Sequence, residues 1–353
     1  MKNKANLTDI RVILILAGIC CFLWGSATPA IKIGYQLFGI KAEDISSILL
    51  FAGARFFLAG LLVILWHSFT SRTWILPQKG SGTAILQLAL TQTILQYIFF
   101  YVGLSYSSGV HGAIITGTSV FFSILFAGLI FHYETLNMRK MLGCGLGFAG
   151  IVIVNLSGQG AEGLFDMSFR GEGCVLLAQM FYAVSSGLVK KYARQYDVVT
   201  LSGYQFFFGG LVLMVIGAVS GGSLNAAAGP SAFLLLLYMG FLSAVAYTVW
   251  GILLQYNPVS RVTIFGFMNP VFGVLLSAFL LGEANQALLE YSGSSGSGKP
   301  WNLCSKRRKI SERLKSYFPT ESYSLQISSE GASVRRETRI MDADAVKNAG
   351  RSS

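Results

Sequence analysis

The clearest shortage in this chain of 353 residues is charge, because Asp, Glu, Lys and Arg make up only 12% of it. Soluble domains carry about 25% charged residues. The shortage is uneven: residues 1–284 hold 15 basic and 9 acidic side chains, whereas residues 285–353 hold 12 and 7. A body so poor in charge excludes a soluble enzyme, a disordered chain and a nucleic-acid binder as the main part of the protein.

The sequence also lacks the usual signatures of metal and cofactor sites. Cys20, Cys21, Cys144 and Cys174 fall in apolar segments, and their spacing fits neither a disulfide framework nor a metal site. There is no glycine-rich phosphate loop, so ATP hydrolysis by this chain is not expected. Clustered His, Asp or Cys residues and buried acid/base pairs are missing too. We therefore expect no metal, no cofactor and no membrane enzyme.

Long apolar segments, in contrast, are abundant. A bilayer core of about 30 Å needs roughly 20 apolar residues in a helix. Nine segments meet this length, at residues 12–33, 46–66, 83–104, 109–131, 138–157, 171–189, 200–220, 231–254 and 260–281. They predict an all-α, polytopic membrane protein. With the N-terminus in the cytoplasm, eleven basic residues of the loops face inwards and only Lys32, Lys41 and Arg170 face outwards, which is the normal bias.

An internal repeat gives the most information about architecture. The segment Arg55-Phe-Phe-Leu-Ala-Gly-Leu matches Gln205-Phe-Phe-Phe-Gly-Gly-Leu at an offset of 150 residues, which also pairs Tyr97 with Tyr247. Further pairs at offsets of 149 or 150 are Phe100 with Trp250, Ile115 with Ile264, Gly117 with Gly266 and Glu134 with Glu283. The period covers five helices, and an odd number turns the second copy over in the membrane. We predict two inverted five-helix repeats, over 1–157 and 158–286, as in many secondary transporters.

The end of the second repeat departs from this pattern. A tenth span is expected near 287–306, but that stretch contains the Gly/Ser run 292–298 and cannot cross a membrane. We predict that residues 287–353 form a linker and a basic, disordered or foreign tail on the outer side. A natural soluble tail is the alternative. The face left open by a missing helix favours a homodimer that covers it.

Several short motifs carry a resemblance to one family. They are Leu23-Trp24-Gly25 with Pro29 and Lys32, Ala54-Arg55-Phe56, the span endings at Glu134 and Glu283, and Asn269-Pro270-Val271-Phe272. With these motifs, residues 12–286 resemble the EamA-type members of the drug/metabolite transporter superfamily. The resemblance implies export of amino acids, other metabolites or drugs across a bacterial inner membrane. The absent tenth helix leaves open a truncated or fused member of the family that does not transport.

Arg55 is the first candidate for substrate binding, because it lies near the middle of a span. An arginine inside a membrane must face a cavity or a partner, and its planar fork suits a carboxylate. The alternative role is structural, holding helix carbonyls or the two halves together.

Four aromatic residues with polar tips, Trp24, Tyr97, Tyr247 and Trp250, are predicted to line the same central cavity as Arg55. Buried tips of this kind need hydrogen-bond partners. The alternative role of each ring is packing within the bundle. Asn269 is predicted to face the cavity beside Pro270. Pro29 and Pro270 are candidate gating residues, because proline kinks a helix; static bends are the alternative.

Overall fold

In a computed structural model, the chain forms helices that follow the nine predicted segments. The structure describes residues 7–41, 43–106, 109–156, 168–225 and 228–281. The first eight segments are α1 (Ile10–Phe38), α2 (Ile45–Ser71), α3 (Gly82–Tyr106), α4 (Gly109–Leu129), α5 (Met138–Leu156), α6 (Phe169–Tyr192), α7 (Val198–Val219) and α8 (Gly229–Tyr256). The ninth consists of α9 (Val259–Thr263), a 3₁₀ turn (Ile264–Phe267) and α10 (Met268–Leu281).

Length and composition make this bundle a membrane protein. The six helices α1, α2, α3, α6, α7 and α8 are long and apolar enough to cross a bilayer, and Ile115–Leu129 of α4 is a shorter apolar helix. Large apolar side chains such as Phe69 and Leu146 are exposed on its surface, as lipid contact requires. The predicted all-α polytopic fold is thereby confirmed. The tail at 287–353, the place of a tenth span and Glu283 lie outside the described residues.

Helices α2 and α7 cross through contacts at glycine. A Cβ atom added to Gly60 would lie 2.3 Å from the backbone nitrogen of Phe207, and one added to Gly210 would lie 2.2 Å from that of Phe57. No other residue type allows the two backbones to approach so closely. An offset of 150 residues converts one contact into the other, because it carries Gly60 to Gly210 and Phe57 to Phe207. Contacts that exchange in this way are produced by a two-fold axis between the repeats.

In three pairs, a residue of the first repeat is in direct contact with its equivalent in the second repeat. Only residues close to a two-fold axis can make such contacts. The ring centroids of Phe56 and Phe206 are 5.5 Å apart, and those of Phe57 and Phe207 are 4.8 Å apart. The third pair joins Tyr97 to Tyr247, whose hydroxyl oxygens are 2.6 Å apart. The axis therefore passes from the α2–α7 crossing to α3 and α8. The exact repeat boundaries, 1–157 and 158–286, stay a prediction.

The loops predicted to face inwards meet at one end of the bundle. The Asn257 Nδ2 donates to the carbonyl oxygen of Leu7 at 2.9 Å, and the backbone nitrogen of Ser260 donates to Glu134 Oε1 at 3.1 Å. At the other end, Ser46 Oγ donates to the carbonyl oxygen of Ser220 at 3.0 Å. The assignment of the first end to the cytoplasm rests on loop charge and stays a prediction.

Two helices depart from regular α geometry near the middle of the bundle. Residues Ala89–Leu95 of α3 form a π-helical turn, and the ninth segment is interrupted by its 3₁₀ turn. Pro270 is buried in the first turn of α10, directly after this interruption, whereas Pro29 is buried inside α1. The role of both prolines in gating stays a prediction.

Candidate functional site

Arg55 lies in the centre of the bundle as a buried cation. Its side chain is 2% exposed, and its Nε donates to Ser243 Oγ of α8 at 2.8 Å. The guanidinium carbon also lies 5.1 Å from the ring centroid of Phe56, within range of a cation–π interaction. Across the described ranges, no acidic side chain forms an ion pair with Arg55. A charge placed in a membrane costs about 2.5–3.5 kcal/mol or more, and the contacts with Ser243 and the Phe56 ring offset part of this cost.

The second repeat contains a neutral copy of this arrangement. Thr93 Oγ1 donates to Gln205 Oε1 at 2.8 Å, and the offset of 150 residues carries Arg55 to Gln205 and Thr93 to Ser243. The Gln205 Nε2 then donates to Gln92 Oε1 at 3.1 Å. Gln92 and Thr93 belong to the π-helical turn of α3, a distortion that occurs frequently at functional sites. The centre therefore has a charged half and an amide-rich half.

The four predicted aromatic residues form one cluster beside these two halves. The Trp24 ring meets Tyr247 and Trp250 edge-on, with centroids 5.1 and 5.0 Å away. Tyr247 in turn forms its hydrogen bond with Tyr97. Phe56 connects the cluster to Arg55, because its ring centroid lies 4.3 Å from that of Tyr97. Five of the six predicted substrate-binding residues are thus joined by a chain of contacts.

Several buried polar atoms in this region have no protein hydrogen bond of normal geometry. In the part of the chain that the structure describes, they are Trp24 Nε1, Trp250 Nε1, Gln96 Oε1 and Tyr101 Oη. Buried polar atoms are almost always paired, and each one left unpaired costs about 1–3 kcal/mol. The two indole N–H groups are therefore open to a ligand or to water, whereas Tyr101 interacts with Arg55 and Gln96 with Tyr247.

Asn269 is the predicted site residue that the structure does not join to the others. It lies half-buried in the first turn of α10. Among the described residues, no hydrogen bond or ring contact links it to Arg55 or to the aromatic cluster. Its neighbour Phe272 instead packs against α1, close to Gly25. A second contact with α1 is made by the same residue, because the ring centroids of Phe272 and Phe22 are 5.6 Å apart.

The polar partners of the predicted residues were not predicted from the sequence. Ser243, Thr93, Gln92, Gln96 and Tyr101 are all buried in the centre. One signal was available, since the repeat offset pairs the small hydroxyl residue Thr93 with Ser243. Tyr182 was missed as well; its ring centroid lies 6.5 Å from that of Trp24.

The arrangement also resembles known proteins. A family description, the EamA-like transporter family, matches residues 11–156 and 169–286. The chain belongs to this family. The two matched ranges cover the helices described above, and the resemblance inferred from the motifs is confirmed. This EamA-like protein is an integral membrane protein of a transporter family.

Its relatives carry transporter names in archaea and bacteria. An uncharacterized transporter of Archaeoglobus fulgidus is 27% identical over 270 residues, which cover 76% of this chain and 89% of the relative. The uncharacterized transporter YvbV of Bacillus subtilis is 27% identical, with 79% and 86% covered. The uncharacterized inner membrane transporter YedA of Escherichia coli is 25% identical, with 74% and 80% covered.

A solved crystal structure has the same fold. It aligns with a TM-score of 0.61 and 16% sequence identity, over 76% of this chain and 88% of the other. The same fold therefore occurs with a very different sequence. The fold alone does not identify a ligand, which has to be inferred from the side chains in the centre.

Proposed function

We propose that this EamA-like protein exports a small metabolite that bears a carboxylate, such as an amino acid or an anionic drug. The observation that carries the proposal is Arg55, a buried cation without an acidic partner in the described residues. A guanidinium binds a carboxylate through two parallel hydrogen bonds. Its Nε is already used by Ser243, so the remaining N–H groups are the ones offered to the substrate.

The atoms around Arg55 support a substrate with a second, flatter part. Indole N–H groups of Trp24 and Trp250 are donors, and the Gln96 amide oxygen is an acceptor. The aromatic faces of the cluster suit an apolar or planar group. Two hydrogen-bonding ends at different places would fix the orientation of a bound metabolite.

Alternating access is the proposed mechanism, and the geometry of the two-fold axis supports it. The candidate site lies on the axis, where Tyr97 of one repeat meets Tyr247 of the other, so both repeats contribute to it. Rocking of one repeat against the other opens such a site to either side in turn. The glycine contacts between α2 and α7 suit a pivot, because no side chain interlocks at Gly60 or Gly210. The sequence offers no ATP site, so we expect a solute gradient or a coupled ion to drive transport.

The experiment is a counterflow assay in sealed liposomes that contain the purified protein and a panel of carboxylates. Wild type is expected to exchange at least one of them, and Arg55→Gln to lower that exchange more than tenfold. Arg170→Gln is the matched control, because Arg170 is an exposed arginine outside the centre. Equal exchange by wild type and Arg55→Gln would remove Arg55 from the site. If no solute is exchanged until a tenth family helix is added, the non-transporting alternative is correct.

Location and orientation form part of the same proposal. We infer a bacterial inner membrane with the N-terminus in the cytoplasm, supported by the loop charges and by the name of the Escherichia coli relative. We expect no enzymatic activity, since the relatives are named as transporters.

A further inference from the structure

A depression lies at the end of the bundle that carries most of the loop charge, and none of the central residues lines it. Three cations line it: Arg139 and Lys140 at the start of α5, and Arg261 in α9. The other lining residues are Ile124, Asn137, Gly143, Ser260 and Ile264. Like charges on one surface repel each other, so three of them around one depression favour an anionic ligand.

Only one carboxylate opposes these cations in the described residues around the depression, and it is already engaged. Glu134 accepts from Lys140 Nζ at 2.9 Å and from the backbone nitrogen of Ser260 at 3.1 Å, and it also accepts from the Ser260 hydroxyl. Arg139 and Arg261 are exposed, and neither has an ion pair in the described ranges. The depression therefore keeps two unneutralised guanidinium groups.

Beside the cations, the depression is lined by the apolar residues Ile124, Gly143 and Ile264, and we call this apolar strip the groove. Gly143 lies one turn from Arg139, and a Cβ atom added there would have nothing within 4 Å. Leu142 and Leu146, beside it on α5, are 60% and 75% exposed. At Gly147, four residues further along α5, the Phe267 ring covers the helix, because an added Cβ would lie 2.2 Å from that ring. From Lys140 to Gly147 the apolar path is about 10 Å long at the rise of an α-helix.

A cationic rim above an apolar groove is the pattern of a site for an anionic phospholipid. Guanidinium and ammonium groups bind a phosphodiester, and basic clusters next to the cytoplasmic leaflet bind anionic head groups. A free phosphate would use the rim but not the groove. We propose that Arg139, Lys140 and Arg261 bind the phosphate of an anionic phospholipid, with one acyl chain lying over Gly143.

A lipid bound at the three cations would lie next to a contact between two parts of the bundle. Lys140 and Ser260 hold Glu134, and this contact ties the loop before α5 to the start of the ninth segment. A phosphate on Lys140 would compete with Glu134 for the ammonium group. Lipid binding and the packing of the ninth segment should therefore be coupled.

The test uses the full chain in nanodiscs of phosphatidylcholine, with or without phosphatidylglycerol. Retained lipid is counted by native mass spectrometry, and the melting temperature is measured in parallel. Wild type is expected to retain phosphatidylglycerol and to melt higher with it. Arg139→Gln/Arg261→Gln should lower retention about tenfold or more, since each cation near a membrane contributes about 1 kcal/mol. Gly143→Leu should do the same without a change of charge, by filling the groove.

Two controls separate this site from general electrostatics and from misfolding. Lys41→Gln/Arg170→Gln removes the same charge from exposed positions elsewhere and should leave retention unchanged. Each variant is also compared with wild type in pure phosphatidylcholine, where equal melting is expected. Equal retention of phosphatidylglycerol by wild type, the charge variant and the groove variant would overturn the proposal. A stabilisation by inorganic phosphate in phosphatidylcholine as large as that by phosphatidylglycerol would overturn the lipid assignment. None of these measurements depends on transport.

Discussion

Arg55 and Gln205 occupy equivalent positions in the two repeats and form hydrogen bonds with equivalent hydroxyl residues, but only Arg55 is charged. Arg55 donates to Ser243, and Gln205 accepts from Thr93. The two halves thus share one geometry and differ in chemistry at its centre. A substrate with one anionic end would meet one cation and would have a single preferred orientation, which a fully symmetric centre would not impose.

The neutral copy supplies a clean variant of Arg55. Arg55→Gln should be tolerated by the fold, because the new amide N–H can donate to Ser243 Oγ in place of the guanidinium, and Gln205 forms a corresponding bond with Thr93. It also removes the cost of a buried charge. We therefore expect a melting temperature at or above that of wild type, with exchange of anionic substrates reduced more than tenfold. Differential scanning fluorimetry and the counterflow assay measure the two effects on the same sample.

Arg55→Lys distinguishes charge from geometry. Lysine keeps the positive charge but loses the planar fork that binds a carboxylate with two hydrogen bonds. Its substrate affinity should fall by about tenfold or more, as 1.4 kcal/mol corresponds to a factor of ten. Unchanged affinity in Arg55→Lys together with loss in Arg55→Gln would show that charge alone matters.

The hydrogen bond between Tyr97 and Tyr247 should reveal itself in a double-mutant cycle. Either single change to phenylalanine leaves one hydroxyl buried without this partner, at a cost of about 1–3 kcal/mol. The double variant Tyr97→Phe/Tyr247→Phe removes both hydroxyls and should cost less than the sum of the single variants. Unfolding in mild detergent with increasing denaturant measures the three values. Strict additivity would mean that the 2.6 Å contact contributes no coupling.

The close crossing of α2 and α7 makes a strong prediction for glycine. Gly60→Ala places a methyl group 2.3 Å from the backbone of Phe207, so the helices must separate and the melting temperature should drop sharply. Gly145→Ala is the matched control, because an added Cβ there has nothing within 4 Å. Alanine is the better helix former by about 1 kcal/mol, so the control should be neutral or stabilising. Equal behaviour of the two variants would contradict the crossing.

Much of the fold could be predicted because a membrane restricts the options. A span must be helical and about 20 apolar residues long, so the nine predicted segments differ from the observed helices by only a few residues at most ends. The repeat offset also predicted which residues of the two halves are equivalent. Tyr97 and Tyr247 could be expected near the axis on this basis, and they are in direct contact.

The rest of the site depends on local distortions that leave no trace in hydropathy. A π-helical turn in α3 places Gln92 and Thr93 beside Gln205, and periodicity does not predict where such a turn occurs. The 3₁₀ turn before α10 is another such distortion, and Asn269 lies just after it. Small hydroxyl residues such as Ser243 were not predicted, because single serines are common in apolar helices. The role of Ser243 becomes visible only from its hydrogen bond with Arg55.

The contact of Glu134 predicts a dependence of stability on pH. Burial raises the pKa of this carboxyl, but hydrogen bonds from Ser260 and Lys140 outweigh it, and the pKa is lowered overall. A lowered pKa stabilises the fold above the unfolded value of about 4.3 and loses that contribution as pH falls through the folded pKa. Wild type should thus melt higher than Glu134→Gln near neutral pH, and this difference should shrink on acidification to about pH 3.

Ser260→Ala serves as a second variant for the same contact, because it removes only one of the donors to Glu134. Its melting temperature should fall between those of wild type and Glu134→Gln. A constant difference between wild type and Glu134→Gln from neutral to acid pH would show that Glu134 does not stabilise the ninth segment through its charge.

The orientation in the membrane can be tested with cysteines, since the native thiols of the bundle are hidden. Arg170→Cys and Arg139→Cys place an exposed thiol at opposite ends, and Cys304 of the tail is replaced by serine in both. The native cysteines of the bundle are each no more than 8% exposed: Cys20, Cys21, Cys144 and Cys174. An impermeant maleimide on intact cells should label Arg170→Cys at once and Arg139→Cys only after permeabilisation. The opposite order would reverse the orientation drawn from eleven inner and three outer basic residues, and would move the proposed lipid site to the outer leaflet.

The unmodified chain tests the location of the tail, because nine spans from a cytoplasmic N-terminus should leave Cys304 open to the reagent from outside. Labelling of Cys304 only in permeabilised cells, with Arg170→Cys still labelled from outside, would require a further crossing after residue 281.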